Sequence, residues 1–87
     1  MKIAVWDTYV SKKDGTIMHF DILVPTEITD TEKIYSFGRE YLAKKNQMGQ
    51  QLSSEECNLC HVEEATPTMK SDVEAQGYHI IEIENCN

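Results

Sequence analysis

Residues 2–24 read Lys2-Ile3-Ala4-Val5-Trp6-Asp7-Thr8-Tyr9-Val10-Ser11-Lys12-Lys13-Asp14-Gly15-Thr16-Ile17-Met18-His19-Phe20-Asp21-Ile22-Leu23-Val24. Two runs rich in Val, Ile, Thr and aromatic residues suit a pleated, half-buried surface. Between them Asp14-Gly15 is a turn signal, so the stretch predicts a β-hairpin. A two-residue loop at 14–15, or a four-residue loop at 12–15, pairs odd positions with even ones. One face would then carry Ile3, Val5, Asp7, Tyr9, Met18, Phe20, Ile22 and Val24. The other would carry Ala4, Trp6, Thr8, Val10, Ile17, His19, Asp21 and Leu23. A hairpin wetted on one side alternates apolar with polar residues. Here both faces are mainly apolar, so both are expected to meet other parts of a protein.

Pro25 ends the second strand, because it cannot donate to the ladder. Thr29 and Glu32 have capping-box spacing and predict a helix start. Ile34, Phe37, Tyr41 and Leu42 form its apolar stripe, with Gly38 in that stripe where another backbone could come close. Lys44 and Lys45 suit the negative C-terminal end. Residues 46–51 read as a loop, and Ser53 with Glu56 marks a short helical turn. A brief strand is expected at 61–65. Thr66-Pro67 then starts a second helix, with Met69 and Val73 inside and Gly77 ending it. A last strand covers 78–84. Strand, helix and strand make a βαβ unit, expected to be right-handed with parallel strands. The fold class is α+β: an N-terminal β-hairpin joined to a βαβ unit in a mixed four-stranded sheet with two main helices. Residues 1–87 are expected to form a single compact domain.

The chain has 87 residues and a net charge of −7 at pH 7. With no basic stripe, it should repel nucleic acid and anionic membrane surfaces. No apolar run approaches the ~20 residues that span a bilayer. Asp7 breaks the N-terminal apolar run before a signal peptide could form, so a cytoplasmic location is expected. Cys57, Cys60 and Cys86 are an odd number, which fits free thiols or a metal pair better than a disulfide scaffold.

Several stretches carry a family likeness. They are Ala4-Val5-Trp6-Asp7-Thr8-Tyr9-Val10, His19-Phe20-Asp21-Ile22-Leu23-Val24-Pro25, Phe37-Gly38-Arg39-Glu40-Tyr41-Leu42, Cys60-His61-Val62-Glu63-Glu64-Ala65 and Gly77-Tyr78 with Ile80-Ile81-Glu82. In this combination and order the chain resembles the small bacterial family catalogued as domain of unknown function two-thousand-and-twenty-four. The resemblance implies one compact α+β domain with this element order. It carries no assigned substrate, cofactor or catalytic residue.

Cys57-Asn58-Leu59-Cys60-His61 has the C-x-x-C-H pattern of covalent haem attachment. That chemistry needs export and a haem pocket, and the sequence offers neither. A redox dithiol is disfavoured by Glu55, Glu56, Glu63 and Glu64, which oppose a thiolate. Zinc is a closer fit: Cys57, Cys60 and His61 supply sulfur and nitrogen, and acidic neighbours do not repel a cation. On an extended chain, however, Cys60 and His61 diverge, and one C-x-x-C lacks the second half of a closed site. The favoured reading is that both cysteines are small buried residues closing a loop onto the core.

His19 and Asp21 lie two apart on one strand, hence on one face, and are candidates for acid–base chemistry. Asp7, placed on the other face, is a candidate buried carboxylate. No obvious nucleophile accompanies them, nor any phosphate-cradling or hydrolase motif. The expected function is a non-enzymatic binding or assembly module. If both helices covered one face, Trp6, Val10, Ile17 and Leu23 would form an apolar patch for a homodimer or another protein partner. The alternatives are a zinc-binding or thiol protein using Cys57, Cys60 and His61, and an enzyme using His19 and Asp21.

Overall fold

The computed structural model describes residues 1–86. In chain order they form β1 (Lys2–Ser11), β2 (Ile17–Pro25), α1 (Thr31–Lys44), β3 (Cys57–Glu64), α2 (Pro67–Gln76) and β4 (His79–Glu84). The fold is α+β, with one four-stranded sheet in the order β3-β1-β2-β4.

The hairpin forms as expected, with a different register. Lys12 N donates to Thr16 O at 2.8 Å, and Gly15 N donates to Lys12 O at 3.0 Å. Gly15 has a φ of 90°. This is a three-residue loop, a turn followed by a left-handed residue. An odd loop pairs even positions with even ones: Thr8 opposes Phe20 and Asp7 opposes Asp21. One face therefore carries Ala4, Trp6, Thr8, Val10, Met18, Phe20, Ile22 and Val24. The other carries Ile3, Val5, Asp7, Tyr9, Ile17, His19, Asp21 and Leu23. The even–odd pairing is corrected by one residue of turn length, and a one-residue slip regroups every side chain.

The strand–helix–strand order at the C-terminal end is also present, but the sheet is not mixed. β1 pairs antiparallel with β2 and β3, and β2 pairs antiparallel with β4. β3 and β4 lie on opposite edges and run in opposite directions. The end of β3 and the start of β4 thus share one end of the sheet. The ten residues of α2 reach about 15 Å, close to the ~14 Å of three strand spacings. So short a helix bridges the sheet but could not return along an eight-residue strand, as a parallel crossover requires.

The helices take opposite faces. Ile34, Tyr35, Tyr41 and Leu42 of α1 pack with Ala4, Val10, Met18, Phe20, Ile22 and Val24. Ala65, just ahead of α2, Met69 in its first turn and Ile81 of β4 pack against Ile3, Val5 and Leu23. Both helices are capped locally. Asp30 Oδ1 accepts from Glu32 N at 3.0 Å, one residue after the expected Thr29. Thr66 Oγ1 accepts from Met69 N, ahead of Pro67, and Gly77 closes α2 with a φ of 98°. Gly38 faces side chains rather than another backbone: a Cβ there would lie 2.3 Å from Leu52 Cδ2 and 3.0 Å from Ile22 Cδ1.

Candidate functional site

α2 covers only the end of its face where β1 begins and β2 ends. At the other end Asp7, Tyr9, His19 and Asp21 lie on the two central strands without a helix over them. The turn register brings them together, because Asp7 opposes Asp21 and Tyr9 opposes His19. Sequence reasoning found His19 and Asp21 but set Asp7 on the far side, for want of the loop length.

His19 Nε2 donates to Asp7 Oδ1 at 2.5 Å. The Tyr9 ring stacks on the imidazole, with centroids 4.1 Å apart and planes at 12°, which fixes the ring's orientation. One ligand atom from each of Asp7, His19 and Asp21 lies within 4.8 Å of the others. Asp21 Oδ1 is buried without a hydrogen-bond partner among the described residues. Burial, then the hydrogen bond and charge of Asp7, push the Asp21 carboxyl up to about 6. Loss of hydration, then the charges of Asp7 and Asp21, likewise push the Tyr9 phenol up. An open depression of about 400 Å³ begins at Tyr9 and is lined by Ser11, Ile17, Gln50, Gln51, Glu55 and Glu56.

The cysteines do not converge. Cys57 opposes Thr8, is 1% exposed and accepts a hydrogen bond from Thr8 Oγ1 at 3.4 Å. Burial pushes its thiol up. Cys60 is exposed. The β1–β3 ladder slips between Val5 and Trp6, so Leu59 opposes Trp6 and His61 opposes Val5, leaving Cys60 in a bulge. The bulge turns Cys60 and His61 to the same side, with Sγ 3.2 Å from Nδ1. The expected divergence of these neighbours does not occur, because the strand is not regular there. Cys57, Cys60 and His61 are thus split between two faces and do not form one metal site. β3 also begins four residues before the expected strand, at Cys57.

The expected apolar patch is split as well. Trp6 and Val10 lie under α1, while Ile17 and Leu23 lie on the face of α2. Val10 and Leu23 are buried within the chain, and Ile17 is exposed. His79 Nδ1 lies 2.6 Å from Asp72 Oδ2 and ties β4 to α2.

One family match spans residues 1–83. The chain belongs to the DUF2024 family, described as a domain of unknown function. It is also similar to protein NE1680 from Nitrosomonas europaea, known from an NMR structure, at 38% identity and a TM-score of 0.86 over 100% of both chains. Curated proteins gave no match. In this DUF2024 chain no helix among the described residues is long and apolar enough to cross a membrane.

Proposed function

We propose that the protein is a binding module for a divalent cation, held by Asp7, His19 and Asp21. The observation that carries this reading is the desolvated Asp21 Oδ1 without a partner, on a carboxyl group that gathers with the Asp7 carboxylate and the His19 imidazole within 4.8 Å. Like charges directly opposed across two strands are destabilising. A bound cation takes the place of the proton shared by His19 Nε2 and Asp7, and it offsets the repulsion between the two carboxylates. One nitrogen and two oxygens suit a borderline first-row ion such as Zn²⁺ better than Mg²⁺ or Ca²⁺, which prefer oxygen alone. Three protein ligands leave a coordination position for water or a ligand's donor atom. The tyrosine stacked on His19 acts as an outer support that holds the ligating ring. The site opens on a sheet face instead of an enclosed cavity, which suits binding more than turnover.

Titration calorimetry of Zn²⁺ into chelator-stripped protein tests this. One equivalent should bind per chain, and His19→Ala should weaken binding at least about tenfold, in keeping with loss of a direct ligand. No binding, or binding equal in His19→Ala, would overturn the reading.

A second reading, self-association, is favoured by β3. Leu59 and Val62 are 54% and 52% exposed on this edge strand, opposite Trp6 and Ala4. Between Asn58 and Val62 no Lys or Pro guards the edge. Antiparallel pairing with a second copy about the strand centre sets Leu59 against Val62 and Glu63 against Asn58, so no like charges meet. A dimer in sedimentation, lost in Val62→Lys, is the expected result. A wild-type monomer at millimolar concentration would reject it.

A further inference from the structure

Cys60 stands apart from the other two cysteines, since Cys57 and Cys86 are buried. Its Sγ lies 3.2 Å from His61 Nδ1, and His61 Nε2 lies 3.1 Å from Glu63 Oε2. Adjacent residues on a regular strand point to opposite faces; only the bulge lets this cysteine and histidine meet. When Nε2–H donates to Glu63, Nδ1 presents its lone pair to the thiol. A thiol, an imidazole and a carboxylate in series are the parts of an activated nucleophile. The imidazole accepts the proton, and the carboxylate orients the ring and stabilises the imidazolium.

We propose that Cys60, assisted by His61 and Glu63, is a nucleophilic thiol site that captures low-molecular-weight disulfides as a single mixed disulfide. The Cys60 proton passes to His61 Nδ1 as Sγ attacks one sulfur of the disulfide. The disulfide's S–S bond breaks and a new bond to Sγ forms. The departing thiolate takes the proton back from His61 and leaves as a thiol. One thiol and one disulfide give one disulfide and one thiol, so no further oxidant is required. The capture stops there because the chain has no resolving thiol in reach. Cys57 lies on the opposite face with Thr8. Cys86 lies beyond β4, where its thiol donates to His19 O at 3.2 Å and Glu84 O at 3.4 Å. The C-x-x-C spacing thus holds one working thiol and one structural one.

The charged and titratable groups that the strands place on the same side include Asp7 and Tyr9 of β1, His19 and Asp21 of β2, Glu63 of β3, and His79 and Glu84 of β4. The carboxylates repel anionic disulfides, so the probe is neutral dithiodipyridine, in chelator and with absorbance as the readout. The expected result is one fast thiol per chain, lost in Cys60→Ser and assigned to Cys60 by mass spectrometry. His61→Gln should slow it about five- to tenfold at pH 7, less than a buried general base contributes, and raise the pH midpoint of the reaction. Glu63→Gln should slow it about two- to threefold. Circular dichroism checks that each variant is folded. Label appearing first on Cys57 or Cys86, or an unchanged rate and pH midpoint in folded His61→Gln, would overturn the proposal.

Discussion

Phe20→Ala lowers stability by about 3–5 kcal/mol, in the range for truncating a buried aromatic ring. Phe20 lies mid-strand in β2, opposite Thr8, and is 0% exposed. Its ring meets Tyr41 of α1 at a centroid distance of 4.6 Å and 50°, a tilted contact. Tyr41 is itself held. Its hydroxyl donates to Glu82 Oε2 at 2.5 Å, and Lys45 Nζ reaches the same oxygen at 2.7 Å. The substitution therefore opens a cavity beneath a side chain that is tied at its far end to β4, so the gap is poorly closed. An 87-residue domain has only about 5–15 kcal/mol in total, and each kilocalorie is about 4–8 °C of Tm at this size. Thermal denaturation should show a fall of at least about 12 °C. A fall under about 5 °C would mean that α1 does not bear on the sheet through this ring.

Asp21→Asn has the opposite sign: in chelator at pH 7 it should stabilise the protein. The folded carboxyl sits at about 6 against an ordinary 3.8. Its folded value is raised, so between about pH 4 and pH 6 the native state holds more of this proton than the unfolded chain. Stability from this group is full below about pH 4, falls as pH rises to about 6, and is flat above. The unscreened shift would correspond to about 3 kcal/mol. The group is partly solvated, and screening reduces this to about 1–1.5 kcal/mol. In Asp21→Asn the amide can donate to Asp7 at every pH, with no charge to desolvate. Urea titrations at pH 4 and pH 7 should show the gain at pH 7 and a shallower decline between the two. The same substitution removes a proposed cation ligand, so metal-free stability and cation affinity should move in opposite directions. A variant less stable than wild type at pH 7 would show that ionised Asp21 helps the fold.

The sequence was most legible where one local rule governs. Thr66-Pro67 and Gly77 bound α2 as expected, and the stripe of Ile34, Tyr41 and Leu42 faces the sheet. The two-sided apolar hairpin signalled cover on both faces; the chain supplies α1 over one and α2 over one end of the other, leaving Tyr9 and Ile17 exposed at the far end. It was least legible where one residue of geometry decides. The left-handed Gly15 sets the loop at three residues, where two or four were expected, moving Asp7 beside His19 and Asp21 and splitting the expected patch. The bulge at Cys60 erased the alternation that would have marked β3, and it joined two neighbours that a regular strand separates. The direction of β4 followed from the length of α2 against the width of the sheet, which motif order alone does not encode.

The proposed cation site is Asp7, His19 and Asp21. Imidazole ¹⁵N NMR during Zn²⁺ titration separates this site from the Cys60–His61 pair. Nε2 of His19 should shift and saturate near one equivalent, while His61 and His79 stay in place. A shift led by His61, or no histidine shift at all, would contradict it.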